Sequence, residues 1–257
     1  MKRVLSSNDR VAPLRAIGLA AGIVAAMACL SRPVAAQESV TLKRVFTAGE
    51  TDRYTTIIKF EQNAMEAVLV TTEVTREVKD DGTAVVATTV DSIVLRGRGS
   101  EVPFPGGSGQ VLLSTYDKSG KPVKHETVGG GGDVGMLLNV ARPSVFLDKP
   151  LKVGETIKDE VPVGPDKSRK AVVAVTLLGI DKKSADTPED CLRFKVVTER
   201  VVPGPNGDIK STSEVMVRLG KDNGKLVSAE GKMDGIPMPG GGSTKLSYTV
   251  TRTPAKK

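Results

Sequence analysis

A single histidine, His125, stands just before an unbroken run of four glycines, 129–132, that opens onto Asp133 in VKHETVGGGGDVG. The backbone N–H groups of such a run can cradle a phosphate, and a histidine beside it could move a proton. That chemistry needs a strand before, a helix after, and either Gly-Lys-Ser/Thr or the glycine spacing of a dinucleotide fingerprint. Gly-Lys-Ser/Thr is missing and no βαβ unit surrounds the run, so the glycines read as a flexible connection. His125 has Lys124 and Glu126 as chain neighbours, but adjacent strand residues face opposite sides, so Glu126 does not share its site. An exposed histidine is the expectation.

The other reactive side chains lead to the same place. Beyond the leader, Cys191 is the chain's one cysteine, which excludes an internal disulfide in an oxidising compartment. The alternation of DCLRFKV puts it on the side of Arg193 and Lys195, opposite Leu192 and Phe194, with no base adjoining it, as a structural thiol. One histidine and one cysteine would leave only carboxylates to complete the three or four ligands of a zinc site. Two acidic clusters, Glu155, Asp159 and Glu160 in GETIKDEV, and Asp186, Glu189 and Asp190 in SADTPEDC, could offer the carboxylate pair of glycoside hydrolysis. Both lie in polar, lysine-containing, turn-like sequence, where solvated charge suffices. Five phenylalanines, three tyrosines and no tryptophan leave few platforms for a sugar. KDNGK and GPNGD do not belong to a full twelve-residue calcium loop. No catalytic, cofactor-binding or metal residue is therefore expected, and the chain reads as a non-enzyme.

Residues 1–36 read as an export signal: Lys2, Arg3, Arg10 and Arg15 precede the apolar run AIGLAAGIVAAMACL, and Val34 and Ala36 fit a signal peptidase site that leaves Gln37 first. A minor alternative is lipidation at Cys29 in AMAC, and another is an uncleaved anchor. Lys2, Arg3, Arg10, Arg15, Arg32 and Asp9 lie in this leader, so the formal net charge of +7 falls to +3 without it. No later apolar run reaches membrane-spanning length, and no basic cluster interleaves with aromatics, so nucleic acid is not expected as a partner.

The elements that would have to position any site are short alternating segments. In DRYTTIIKFE, Tyr54, Thr56, Ile58 and Phe60 share a face; in STKLSYTVTR, Leu246, Tyr248 and Val250 do. TLKRVFTA, AMEAVLVTTEVTREV, TAVVATTVDSIVLRG, RKAVVAVTLLGI, CLRFKVVTERVV and KSTSEVMVRL also read as strands. Turns with Asp81-Gly82, Asn206-Gly207 and Asn223-Gly224 join them as hairpins, which makes the sheet antiparallel. Strands of such length have to twist or curl. The expected fold is mostly β: a strongly curved antiparallel sheet or half-barrel with long hairpin loops and one short helix over 132–145, capped by Asp133 and stopped at Pro143. The proline-rich segment 142–166 connects a first half, 37–141, to a second, 167–257, which are expected to form one continuous domain. YDKSGKPVKHE and LGKDNGKLVSAEG echo each other as strand, turn, Gly-Lys, strand, an echo any two hairpins share but which also raises an internal duplication. The glycine-rich stretches 102–110 and 235–245 read as exposed connections, with flaps carrying Phe104, Ile236 and Met238 as the alternative.

The phrases LKRVFTAGETDRYTT, PLKVGET, CLRFKV and SEVMVRLGKDNGKLVSAEGKMDG together resemble a family of uncharacterised secreted bacterial β-rich proteins. The resemblance spans most of residues 37–257, but the phrases are strand and turn words, and the family has no catalytic residues to carry over. The long strands are more loosely similar to periplasmic lipoprotein carriers, whose curved sheet closes over an apolar cavity. That likeness implies an apolar-ligand face of Ile58, Phe60, Leu69, Phe194, Leu246 and Tyr248. The expected function is that of an exported cell-envelope protein, periplasmic or extracellular, with a structural or protein-interaction role toward an envelope protein; carriage of a lipid or other apolar small molecule is the alternative.

Overall fold

The computed structural model describes residues 39–253, apart from 63, 98, 105, 129–144, 146, 148, 164–168, 185–186, 205–206 and 238–241. These residues belong to one compact unit, Glu38–Lys257. Its strands are β1 (Ser39–Val40), β2 (Thr51–Phe60), β3 (Met65–Val78), β4 (Ala84–Gly97), β5 (Ser100–Pro103), β6 (Val111–Tyr116), β7 (Pro122–Val128), β8 (Leu151–Lys152), β9 (Thr156–Val163), β10 (Arg169–Asp181), β11 (Cys191–Gly204), β12 (Gly207–Gly220), β13 (Leu226–Pro237) and β14 (Ser243–Thr253). One large antiparallel sheet runs β7-β6-β4-β3-β2-β14-β13-β12-β11-β10-β9, with β5 added beside β4, and β1 pairs β8 in a ladder of its own. Two meanders thus meet where the last strand, β14, pairs with β2.

The hairpin words act as their chemistry predicts. Between β3 and β4, the Gly82 N–H donates to the Lys79 carbonyl, and the Thr83 N–H donates to the Asp81 carboxylate at 2.8 Å. The extended arm read from the sequence is present as two 14-residue strands, β3 and β4.

The half-barrel with a helix is not what they form. The path of the sheet ends at β7 and β9, no pairing among the described residues joins those ends, and the sheet is neither closed nor strongly curved. Long strands take up twist locally instead, at bulges between Val70 and Thr71, Thr75 and Glu77, Leu177 and Gly179, Arg218 and Leu219, and Met233 and Ile236. No helix occurs among the described residues; the helix expected over 132–145 lies outside them except for Val145, which is irregular and buried.

Strand alternation sends one face of the sheet into a single core. Across the seam the rungs read Leu246–Phe60–Met65, Tyr248–Ile58–Ala67, Val250–Thr56–Leu69 and Arg252–Tyr54–Thr71. The second half adds Val175, Leu177, Leu192, Phe194, Val196, Val215 and Val217 to the same cluster, and Val40, Leu42, Val145 and Leu151 join it from outside the large sheet. Burying such side chains is worth about 1.5–3 kcal/mol each. Tyr248 lies over Gly231, where a Cβ would sit 2.8 Å from its ring.

The opposite face is charged and paired across strands. Lys170 meets Glu160, Lys195 meets Glu214, Lys210 meets Glu199, and Asp181 takes both Arg193 and Arg218. Such exposed pairs contribute about 0–1 kcal/mol each; their use is to keep this face in water.

Candidate functional site

Residues 39–47, SVTLKRVFT, form an extended strap. Val40 and Leu42 are buried and Arg44 and Phe46 half-buried, while Ser39, Thr41, Lys43, Val45 and Thr47 are exposed. This is the period of a strand, yet among the described residues only Ser39 and Val40 join a ladder, against Lys152 and Leu151. The strap does for the core what the expected helix was to do. It lays apolar side chains into the cluster while its outward residues stay wet.

Two turns hold the strap, one from each half of the sheet. They are the echo words of the sequence: 117–121 between β6 and β7, and 221–225 between β12 and β13. The Val45 N–H donates to the Asn223 carbonyl at 2.9 Å. Gly120 and Gly224 both have positive φ, 84° and 64°, a conformation in which a Cβ is disfavoured. Both also face the strap: a Cβ on Gly120 would lie 2.6 Å from the Cβ of Arg44, and one on Gly224 would lie 2.6 Å from the Lys43 carbonyl oxygen and 2.9 Å from the Arg44 Cα. Each glycine therefore meets two requirements at once, the turn and the close approach of a second backbone.

Where the strap crosses the end of the core, the chemistry becomes ionic. Asp52 and Glu73 are directly opposed in the β2–β3 register, a repulsive pair on the core side. Their counter-charges come from outside both strands. Arg44 reaches Glu73 at 3.2 Å, and its guanidinium lies over the rings of Phe46 and Tyr116 at 5.1 and 5.6 Å, a cation–π arrangement. Lys225, whose side chain is 8% exposed, reaches Asp52 at 2.9 Å and also pairs with Glu50. Burial opposes the charge on Arg44, but Glu73, Tyr116 and Tyr54 outweigh it and hold the guanidinium above its ordinary value. Tyr54 is buried beside this cluster; burial, then the negative charge of Glu73, pushes its hydroxyl pKa up. On the next rung Arg252 pairs with Glu189, and Glu189 also accepts from Asn223 Nδ2 at 2.8 Å. One chain of contacts thus runs from the strap through the turn 221–225 to the seam, Val45 to Asn223 to Glu189 to Arg252.

The residues singled out in the sequence fall elsewhere or into other roles. Ile58, Leu69, Phe194, Leu246 and Tyr248 are in the buried cluster and Phe60 packs against it. His125 is exposed, with Nδ1 2.9 Å from Ser114 Oγ. Ser114 itself is fully buried, so it offers no nucleophile to a substrate. Cys191 is buried on the side of Arg193, and desolvation raises its thiol to about 11, the inert kind of cysteine. Glu189, read as solvated, is wired to Arg252 and Asn223. Glu160 is exposed and paired with Lys170. Phe104 packs against the core and Ile236 is buried within it, so neither is a free flap; Met238, like the glycine run 129–132, Asp133 and Asp186, lies outside the described residues. Among the described residues no group of three or more His, Cys, Asp or Glu side chains is placed to hold a metal ion. No helix among them is long and apolar enough to cross a membrane.

A groove of about 780 Å³ opens beside the β2–β3 turn, lined by Glu61, Gln62, Met65, Leu95, Arg96 and Val102 among others. Met65 is the rung partner of Phe60, so this groove sits at the opposite end of the face from the strap's ionic contacts.

Arg44 of the strap, Glu73 of β3 and Lys225 of the second turn were not legible as a site. The one signal, for Arg44 alone, was the period-2 pattern of TLKRVFTA with an arginine in an inward position. Neither a family model nor a curated protein matches this chain.

Proposed function

We propose that this is an exported cell-envelope protein without catalytic activity, acting through recognition of an extended polypeptide segment. The observation that carries the reading is the strap site: two glycine turns, a tyrosine and a glutamate shaped around a peptide with the pattern apolar-x-apolar-x-Arg-x-aromatic. Backbone approach at the turns and pockets for alternate side chains are how extended segments are recognised. The charged side chains around it are consumed in pairs, which suits holding rather than turnover. The leader-like residues 1–36 support export to the periplasm or outside.

Carriage of an apolar molecule is the second reading, favoured by the groove at Met65, Leu95 and Val102. A photo-crosslinking residue at Val45, an exposed strap position, separates the two in the native envelope. Capture of a polypeptide supports recognition. If Val45 captures none, and native mass spectrometry shows an apolar mass that organic extraction releases, carriage replaces it.

A further inference from the structure

We infer that the strap groove accepts the strap of a second copy, so that two chains pair by exchanging residues 39–47. The inference rests on the peptide-recognition reading and names its partner.

The groove is already fitted to this sequence. Its apolar floor takes Val40 and Leu42, and Glu73 takes the arginine. Tyr116 packs on Phe46, with ring centroids 5.1 Å apart. All of these contacts join residues far apart in sequence: Arg44 with Glu73, Val45 with Asn223, Val40 with Leu151. Such contacts survive unchanged when the strap comes from another molecule, because none depends on which chain supplies it. The strap's covalent tie to the sheet is the short turn 47–50, closed by the Glu50 N–H donating to the Thr47 carbonyl at 3.1 Å. Gly49 and Glu50 stay bonded to β3, the Gly49 N–H donating to the Thr75 carbonyl at 2.8 Å and the Thr75 N–H to the Glu50 carbonyl at 3.0 Å, so opening the turn at Thr47 and Ala48 lets the strap leave its own groove with β2 still in the sheet. Among the described residues the β1–β8 ladder adds two residue pairs to what must be released. Exchange of an identical segment across a short hinge is a low-cost route to a dimer, and it makes no demand for a new surface.

Charge reversal tests this on the exported chain. Arg44→Glu leaves a glutamate facing Glu73, and Glu73→Arg leaves an arginine facing Arg44, so each variant mismatches its own strap. Mixed, each variant's strap matches the other's groove. The expected result is a heterodimer by native mass spectrometry on mixing, at least tenfold more abundant than dimers of either variant alone. The double variant, Arg44→Glu with Glu73→Arg, restores the pair in one chain and is expected to fold and elute as wild type does. A mixture that stays monomeric while the double variant folds overturns the exchange. So does a monomeric mixture in which the Arg44→Glu variant captures a synthetic peptide of residues 39–47, a result that keeps peptide recognition and assigns the groove to another protein's segment. If a single variant does not fold, deletion of Ala48 and Gly49 shortens the hinge in an otherwise native chain. That chain is expected to become dimeric, and a monomer across a hundredfold concentration range overturns the proposal.

Discussion

In the first half of the sheet the turn 117–121 is held by its own aspartate: Asp117 accepts from the Ser119 N–H at 2.8 Å, from the Ser119 hydroxyl and from the Lys121 N–H at 3.0 Å. In the second half the turn 221–225 has an asparagine near its end. Asn223 Oδ1 accepts from the Lys225 N–H, its amide donates to Glu189, and its carbonyl receives the strap. Both turns place a positive-φ glycine against Arg44 or Lys43, and both follow that glycine with a lysine. Lys121 is exposed, whereas Lys225 is buried on Glu50 and Asp52. The first turn satisfies itself, and the second is completed by residues from four other segments. One sequence word can thus be a local structure or a tertiary junction, depending on what the rest of the chain brings to it.

The lysines break the comparison most sharply. Lys225→Met leaves Asp52 opposite Glu73 with one counter-charge gone and Glu50 unpaired. Breaking a buried pair costs about 3–5 kcal/mol, and the partial exposure of Glu50 brings the expectation to the low end, about 3 kcal/mol. Lys121→Met is expected to stay within about 0.5 kcal/mol. Urea unfolding checks both, and equal midpoints for the two variants would mean that the Lys225 junction carries no stability.

The glycines come next. Gly224→Ala combines the left-handed penalty with a Cβ driven into the strap backbone, for an expected loss of about 2–3 kcal/mol. Gly120→Ala carries the same conformational penalty, but its closest approach is to the Arg44 Cβ and the strap backbone lies 3.4 Å away or more. Its loss is expected to be about 1 kcal/mol smaller, because it meets one strap atom closer than 3 Å where the Cβ on Gly224 meets three. If the strap is the cause, limited proteolysis should cut residues 39–47 faster in the Gly224 variant than in the Gly120 variant.

How far the sequence reveals this depends on the range of the interaction. Strand alternation and Asp-Gly or Asn-Gly turns are local, and β2, β3, β4 and β14 follow from them, including which of Thr55, Thr56 and Ile58 face the core. Closure and coverage are not local. The length of β3 and β4 suggested strong curvature because twist must be absorbed somewhere, and nothing in the residues marks Val70 or Thr75 as bulges. Coverage was assigned to a helix, since an apolar face needs a cover, and the strap TLKRVFTA was read as one more strand. Its alternation was visible, but the absence of a sheet neighbour beyond Val40 among the described residues is a property of the assembled sheet. The site was hidden for the same reason: Arg44, Glu73 and Lys225 are ordinary surface residues until a register places Asp52 against Glu73.

Acid sharpens the comparison at its smallest scale. The hydrogen bond from the Ser119 hydroxyl, with those from the Lys121 and Ser119 backbone, holds the Asp117 carboxyl below its ordinary value against the opposing effect of burial. A carboxyl lowered in the folded state contributes stability that is complete above its unfolded value, near pH 4, and fades as the pH falls through the folded value. Below that point Asp117 is protonated and accepts the Ser119 and Lys121 N–H groups less well. Asn223 has no proton to gain, so the cap on the Lys225 N–H keeps its strength. Amide exchange, corrected for its intrinsic pH dependence, is therefore expected to accelerate at Ser119 and Lys121 between pH 5 and 2.5 while Lys225 stays protected. Exposure of Asp117 keeps the global effect small. Loss of protection at Lys225 over the same range would instead place the acid-sensitive step in the junction rather than in the self-contained turn.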